Sequence, residues 1–512
     1  MERIAIIDLG SNSIRFIIEE ISDTGAHSLI YQEKKTIRLA EDFSGDRPLL
    51  SEEAQKRALS SLTVYSHIAS TQHVTKLIAV ATAAVRNAVN GASFVKRVRM
   101  ATGIPLTIIS GQAEAALGFS GVIHSIDKKD FILFDLGGAS IEISLVKNKK
   151  RIRSVSLPMG AVTLTEKFHT HRDPPSDILK KLKNYIQTTL KEVDWLPKEP
   201  MDMVGVGGTI RNLAKIHQRS SGYPLPKLHN YTISAEALID EIQMIIKKGL
   251  EERRMISGLS YERADIIIAG SMVIAELVKQ CHAPELTVSG CGLREGLFHR
   301  YYDKKYDPSS RYLTDMLLSS VENYAASLPY TDKGHADFVT ALSLSLFDQW
   351  QSVHKLPKRL RQLLHAAAIL HDIGHVINYY NHARHGAYMA ANAPIYGWSH
   401  KEQVIASLLI AFHHGYSGKV KRAFPQCSIL TEKEMGQVKT LSLFLSMAEA
   451  LDESHEQSVS RIKCGIREES LSLRIYAHQS DIDVLSHAAA PLVPYFERIL
   501  GKPLLLEWFP EA

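Results

Sequence analysis

The sequence predicts an α/β protein: two similar lobes, then an all-α domain and a small α+β end. Three observations carry this. Strand-like and helix-like runs alternate over the first part of the chain. The stretch IIDLGSNSIRF at Ile6 to Phe16 returns at a constant offset as FDLGGASIEIS at Phe134 to Ser144. From Thr314 to Asp452 the apolar period is helical nearly throughout. At 512 residues the chain is too long for one hydrophobic core. The expected divisions are 1–125 and 126–308 for the lobes, 309–457 for the helical domain and 458–512 for the end.

The elements follow in order. Within residues 3–39, RIAIID, IRFIIEE and LIYQEKKTIRL read as short strands separated by polar turns. A helix from Glu52 to Ala69, the strand KLIAVAT, a helix around Ala92 to Met100, the strand PLTIIS and a helix from Gln112 complete the first lobe. The pattern restarts near Lys128 with FILFDLGG, IEISLVK and RIRSVSLPMG, then helices, the strand MDMVGVGG and another helix. The basic run Lys147 to Arg153 reads as a solvated hairpin turn. IIIAGSMVIAELV, from Ile266 to Val278, includes Glu276 and is too short to span a bilayer, so it reads as a buried helix. At the end, SLSLRIYA is expected as a strand, SDIDVLSHAAAPLVPYFERIL as one helix and PLLLEWF as a closing strand.

Net charge is +5, which suits an anionic substrate without demanding nucleic acid. Neither a nucleic-acid nor a membrane partner is expected. The four cysteines form no CxxC pair and read as reduced, mostly buried thiols. With no signal-peptide pattern at the start, a cytoplasmic location is expected.

Each DLG turn ends an apolar strand on an aspartate and then turns on glycine. The amides and hydroxyls of Gly10, Ser11, Asn12 and Ser13, and of Gly137, Gly138 and Ser140, can form a nest for phosphoryl oxygens. The strand aspartates Asp8 and Asp135 can hold Mg²⁺ or orient water. Because IRFII and IEISL return as strands, the anion would be gripped by a β-hairpin rather than a P-loop. One such turn alone reads as an ordinary glycine hairpin, whereas two in matching lobes can face each other across a cleft. A third turn, Gly207-Gly208-Thr209, opens a true helix, where the dipole also favours an anion.

This duplicated pattern resembles the actin, sugar-kinase and heat-shock ATPase superfamily, with its actin-like (ribonuclease H-like) lobes. Within that superfamily it is similar to the Ppx/GppA exopolyphosphatases and guanosine pentaphosphatases. DLGSNSIR, ATAAVRNAVN, SGQAEAALGFSGV, DLGGASIE, GVGGTIRNL and VSGCGLREGL carry the resemblance in family order. The usual third glycine of DxGGGS is Ala139 here, which a negative φ would accommodate. The resemblance implies that Glu114 activates water and that Arg86 binds phosphate. It also makes Asp135 and Glu142 the other carboxylates, with Mg²⁺ held in the cleft. Arg294 and Glu295 read as a structural pair. A homodimer is also implied.

Eight of the 23 histidines fall between His365 and His414. His371-Asp372 resembles the doublet of HD phosphohydrolases, with His335 upstream and Glu449 where that pattern has aspartate, Asp452 following one turn on. The expectation is an HD-like helical domain in which His335, His371, Asp372 and Glu449 hold a transition metal. His385 and His413 match further ligand positions of two-metal HD enzymes, and His375, His400 and His414 are additional candidates. The alternative is that these histidines are hydrogen-bonded packing residues.

The expected activity is release of terminal orthophosphate from inorganic polyphosphate by metal-assisted water attack. Guanosine pentaphosphate is the alternative substrate, and a non-catalytic sensor or an actin-like kinase the alternative class. Lys355, Lys358, Arg359 and Arg361 are expected to offer a basic track for long chains.

Overall fold

A computed structural model describes residues 1–41, 48–329, 332–415 and 424–511. The chain forms two compact units, Met1–Thr314 and Asp315–Ala512.

In the N-terminal unit, β1 (Glu2–Leu9), β2 (Ser13–Ile21), β3 (His27–Thr36), β4 (Lys76–Ala81) and β5 (Leu106–Ile108) form one sheet in the order β3-β2-β1-β4-β5. A second sheet contains β6 (Phe131–Leu136), β7 (Ile141–Lys147), β8 (Lys150–Leu157), β9 (Met203–Gly207), β10 (Tyr231–Ser234) and β11 (Glu285–Val288). Its order, β8-β7-β6-β9-β11-β10, repeats the first with one added antiparallel edge strand. In both sheets an antiparallel meander is followed by two parallel crossovers. The predicted two-lobe α/β fold is therefore present.

β1 is apolar on both faces because both are covered, as expected of a central strand in a layered α/β sheet. Ala5, Ile7 and Leu9 pack with Leu62 and Tyr65 of the helix Glu52–Thr71. Ile4 and Ile6 pack on Leu293, Leu297 and Phe298 of the helix Leu293–Lys305. That helix lies tightly against the helix Gly111–Ile123: a Cβ on Gly296 would stand 1.9 Å from the Leu117 carbonyl oxygen. Glu276 sits buried within the helix Ile267–Gln280, where Gln187 and Lys279 donate to its carboxylate at 2.7 and 3.0 Å.

The basic run around Lys147 is a two-residue hairpin, with Asn148 and Lys149 at φ 50° and 59°, the twist that suits flanking strands. The short strands β10 and β11 lie outside the sequence reading, since four residues carry too little periodicity. The C-terminal unit has helices from Met316–Ser327 through Glu432–Ala450 and a sheet of β12 (Val459–Ile466), β13 (Leu471–His478) and β14 (Leu504–Glu511). β12 was not expected. The single helix expected near the end is two, Ile482–Ala489 and Val493–Leu500, separated by a 3₁₀ turn containing Pro491. Proline lacks the amide that would continue the ladder. Only Cys281 and Cys291 of the four thiols are buried. Among the described residues, no helix is long and apolar enough to cross a membrane.

Glu241, on the helix Ala235–Ile246, is buried and its Oε1 finds no hydrogen-bond partner. Burial pushes its carboxyl up to about 8. The folded state therefore binds the proton more tightly than the unfolded chain, and stability falls as pH rises from the ordinary carboxyl range through about 8. Glu241→Gln should match wild type in denaturant midpoint near pH 5. Above pH 8 it should gain about 1–3 kcal/mol, the cost of an unpaired buried polar group.

Candidate functional site

The two DLG turns are built alike. The Gly10 amide donates to the Ser13 carbonyl at 3.1 Å, and the Gly137 amide to the Ser140 carbonyl at 2.9 Å. The other turn carbonyls are tied back from behind. Those of Ser11 and Asn12 accept from residues 37, 38 and 40, and those of Gly137 and Gly138 from Ala161, Val162 and Thr163 at the start of the helix Ala161–Phe168. With carbonyls held outward, the turns offer amides and hydroxyls inward, which is what a phosphate nest requires. The turns also meet: a Cβ on Gly138 would lie 3.0 Å from the Ser11 Cβ and 3.2 Å from the Asn12 nitrogen. Ala139 is buried and does not have a positive φ, so its methyl is accommodated.

One cavity joins these turns to the third. Asp8, Gly10, Ser11, Asn12 and Ser13 line one side, and Asp135, Gly137, Gly138 and Ser140 the other. Glu114, Gly207 and Gly208 also reach it. Thr209 does not. It is buried, with its hydroxyl against Gly270. Arg86 and Glu142 lie just behind the wall. Arg86 Nη1 donates to Glu114 Oε2 at 2.8 Å and to the Ile109 carbonyl at 2.9 Å, so in this state it positions Glu114. Glu142 Oε1 accepts from Ser140 and Ser156 at 2.8 and 2.7 Å. Arg294 contacts Glu295 at 3.3 Å, and Glu295 caps the helix through the Gly292 amide.

Three cavity-lining arginines escaped the sequence reading: Arg15, Arg211 and Arg263. Arg15 pairs across the hairpin with Asp8, at the register position that Glu142 holds opposite Asp135. It stands within the repeat, aligned with Glu142, as the residue at which the two copies differ in charge. Arg211 lies in the first turn of the helix Gly208–Ser220. The Arg263 guanidinium occupies the space a Gly208 side chain would fill, 2.0 Å from its Cβ position. No local motif announces that contact.

Charge in the site is strained in both signs. Burial pushes Asp135 up to about 6 against the pull of Arg15 and Arg211, while the charge of Asp8 pushes it further up. Burial and the Asp135 charge push Glu142 up to about 7. Burial and then Glu142 raise Glu114 well above the carboxylate range, with Arg86 opposing. Burial and neighbouring arginines push Arg211 down to about 9. A divalent cation fits this donor set: the carboxylates are hard oxygen ligands, and Gly118 and Gly292 leave room beside Asp135. A Cβ on either would come within 4 Å of its Oδ2.

A family model described as the Ppx/GppA phosphatase family matches residues 17–305, and one described as Ppx/GppA phosphatase, domain III, matches residues 319–487. The chain belongs to the Ppx/GppA phosphatase family. It is therefore a hydrolase acting on phosphoanhydride bonds. It is 25% identical over 98% of its length to a guanosine-5'-triphosphate,3'-diphosphate pyrophosphatase of Photobacterium profundum, covering 97% of that protein. It is 30% identical over 54% of its length to a bifunctional 3-dehydroquinate synthase/phosphatase of Fusobacterium nucleatum, of which the match spans only 43%. Among solved structures, an exopolyphosphatase of Cytophaga hutchinsonii superposes with a TM-score of 0.55 at 25% identity, covering 59% of this chain and 98% of that one.

In the C-terminal unit of this Ppx/GppA protein, His335, His371, Asp372 and Glu449 converge. Asp452 stands behind them, its Oδ2 2.8 Å from His335 Nδ1. Burial opposes protonation of His335, yet the hydrogen bonds to Asp452 and Glu449 push it up to about 10. His413 also reaches Asp372 and Glu449, and with His414 it gathers around His382, which the sequence reading missed. His385 faces a separate cavity with Arg384, Tyr388 and Phe424. His400, at the start of the helix His400–Ala411, is in none of these groups. The expected basic track loses two members: Arg359 is bound to Glu402 and the Gly397 carbonyl, and Arg361 is clamped on Asp348.

Gly208→Ala should displace the Arg263 guanidinium, the flexible end of a side chain, with little effect on thermal stability. Removing that charged contact should weaken binding of a polyanionic substrate by roughly tenfold or more, read as a rise in KM.

Proposed function

We propose that this protein is an exopolyphosphatase, releasing terminal orthophosphate from inorganic polyphosphate in the cleft between the two N-terminal lobes. The observation that carries the reading is the lining of the cavity. Its polar part consists of turn glycines, hydroxyls, arginines and carboxylates, with apolar residues such as Val206, Ile266 and Leu293 between them, and among the described residues it includes no aromatic ring on which a purine could stack. Such a surface suits phosphates and offers a purine no ring to stack on.

In this reading the terminal phosphoryl group rests on the amides of the two turns, with Arg15, Arg211 and Arg263 on its oxygens. Glu114, aimed by Arg86, takes a proton from the attacking water; the new P–O bond forms as the bond to the bridging oxygen breaks, and the shortened chain leaves with its charge on that oxygen. A buried carboxylate with a raised affinity for protons is a stronger base than an exposed one. Asp8, Asp135 and Glu142 would hold Mg²⁺, which supplies charge for the phosphoryl oxygens. Conversion of guanosine pentaphosphate at the same site is the second reading. Its support is the full-length similarity to the Photobacterium profundum pyrophosphatase.

Glu114→Gln should lower kcat for phosphate release from long-chain polyphosphate by about a hundredfold or more with KM little changed. Unchanged release would remove Glu114 as the base, and faster wild-type turnover of guanosine pentaphosphate than of polyphosphate would favour the second reading.

A further inference from the structure

We propose that the N-terminal unit carries a second ligand cavity, separate from the cleft, that takes a nucleoside diphosphate. The cavity measures about 650 Å³, within the range of small-molecule sites. Lys76 and Ile78 of β4 form one wall. Leu297, Arg300, Tyr301, Lys304 and Lys305 of the helix Leu293–Lys305 form the other. Among the described residues, no carboxylate lines it. The helix starts at the cleft, where Leu293 lines the phosphate cavity, and meets the second cavity with its later turns.

The wall formed by the helix is of the wrong kind for packing. Positions 297, 300, 301, 304 and 305 have the spacing of a stripe that covers a sheet. Leu297 does cover it, packing with Ile4 and Ile6 of β1. Past Leu297 the stripe turns cationic, with Arg300, Lys304 and Lys305. Lys305 is already paired: its Nζ donates to Glu2 Oε2 at 2.8 Å, an oxygen that also accepts from the Tyr306 hydroxyl at 2.6 Å. The side chains of Lys76, Arg300 and Lys304 enter no ion pair or hydrogen bond among the described residues. Cations gathered on one cavity repel each other, and a bound anion offsets that repulsion.

The floor narrows the anion to one with a flat, apolar part. Tyr301 gives this cavity the aromatic ring that the cleft lacks, and Ile78 and Leu297 lie beside it. The Tyr301 hydroxyl donates to Glu2 Oε1 at 2.5 Å, which fixes the ring in place. A base stacks on such a ring whatever its sequence of polar groups. The phosphates then reach the rim, where the Arg300 guanidinium suits a forked contact and the lysines act as point charges. A nucleoside diphosphate carries about three negative charges near neutral pH, which matches the free cations Lys76, Arg300 and Lys304. This assignment stands whichever phosphoanhydride the cleft cleaves.

The test titrates the full chain with N-methylanthraniloyl-ADP, read by fluorescence, with unlabelled ADP and inorganic pyrophosphate as competitors. Wild type should bind saturably, with a single class of site. The double variant Arg300→Glu, Lys304→Glu, at exposed positions, should weaken binding by about tenfold or more with an unchanged melting temperature. Lys76→Glu, on the opposite wall, should weaken it as well. Absent or unsaturable binding in wild type, or full binding by these variants, would overturn the site. Displacement by pyrophosphate as effective as that by ADP would overturn the nucleoside part of the ligand class.

Discussion

The cleft depends on one cross-strand position. Asp8 faces Arg15 across the first hairpin, and Asp135 faces Glu142 across the second. The strands, turns and registers are equivalent, yet the partner is a cation in one lobe and a carboxylate in the other. Because the turns approach so closely that Gly138 touches Ser11 and Asn12, the two pairs act on one buried volume. Two carboxylate partners would crowd like charge there and lose the Arg15 guanidinium that offsets it, and two arginines would leave fewer oxygen donors for a hard cation. Divergence at this position gives the site both signs.

Neither sign is satisfied within the protein alone. Burial and mutual repulsion push Arg211 and Arg263 down to about 9 and 10, though both stay charged at neutral pH. Asp135 and Glu142 are displaced the opposite way, up to about 6 and 7. A polyanion relieves the first strain and a divalent cation the second. The folding energy that holds these groups in place therefore becomes preorganisation for the bound state, with little rearrangement left at the moment of reaction. The scaffold enforcing it is apolar: β1 is buried on both faces, and the helices Gly111–Ile123 and Leu293–Lys305 meet through glycines without room for a methyl.

The duplication was legible because a strand, a glycine turn and a returning strand leave a pattern within eleven residues. The carboxylates Glu114, Asp135 and Glu142 were legible through motif context. Arg15 was legible in principle, as the residue that breaks the repeat. Arg263 was not. It comes from an irregular stretch far downstream, and its role arises from the absence of a side chain on Gly208. Arg86 carries a different lesson: motif context marked it as a phosphate ligand, but here its guanidinium is engaged with Glu114. His382 escaped for a related reason, being brought to the cluster by the turn at Asn381, whose φ of 61° no spacing rule foretells.

The two units hold different kinds of donor. The cleft offers carboxylate oxygens, turn amides and hydroxyls; the helical unit offers imidazole nitrogens around a single shared aspartate. Hard oxygen sets and nitrogen-rich sets favour different cations. Burial, with the charges of His414 and His371, pushes His413 down to about 3 against the pull of Glu449 and Asp372. Imidazoles held at Nδ1 by carbonyls and converging at Nε2 have the support on the far nitrogen that a ligating histidine uses.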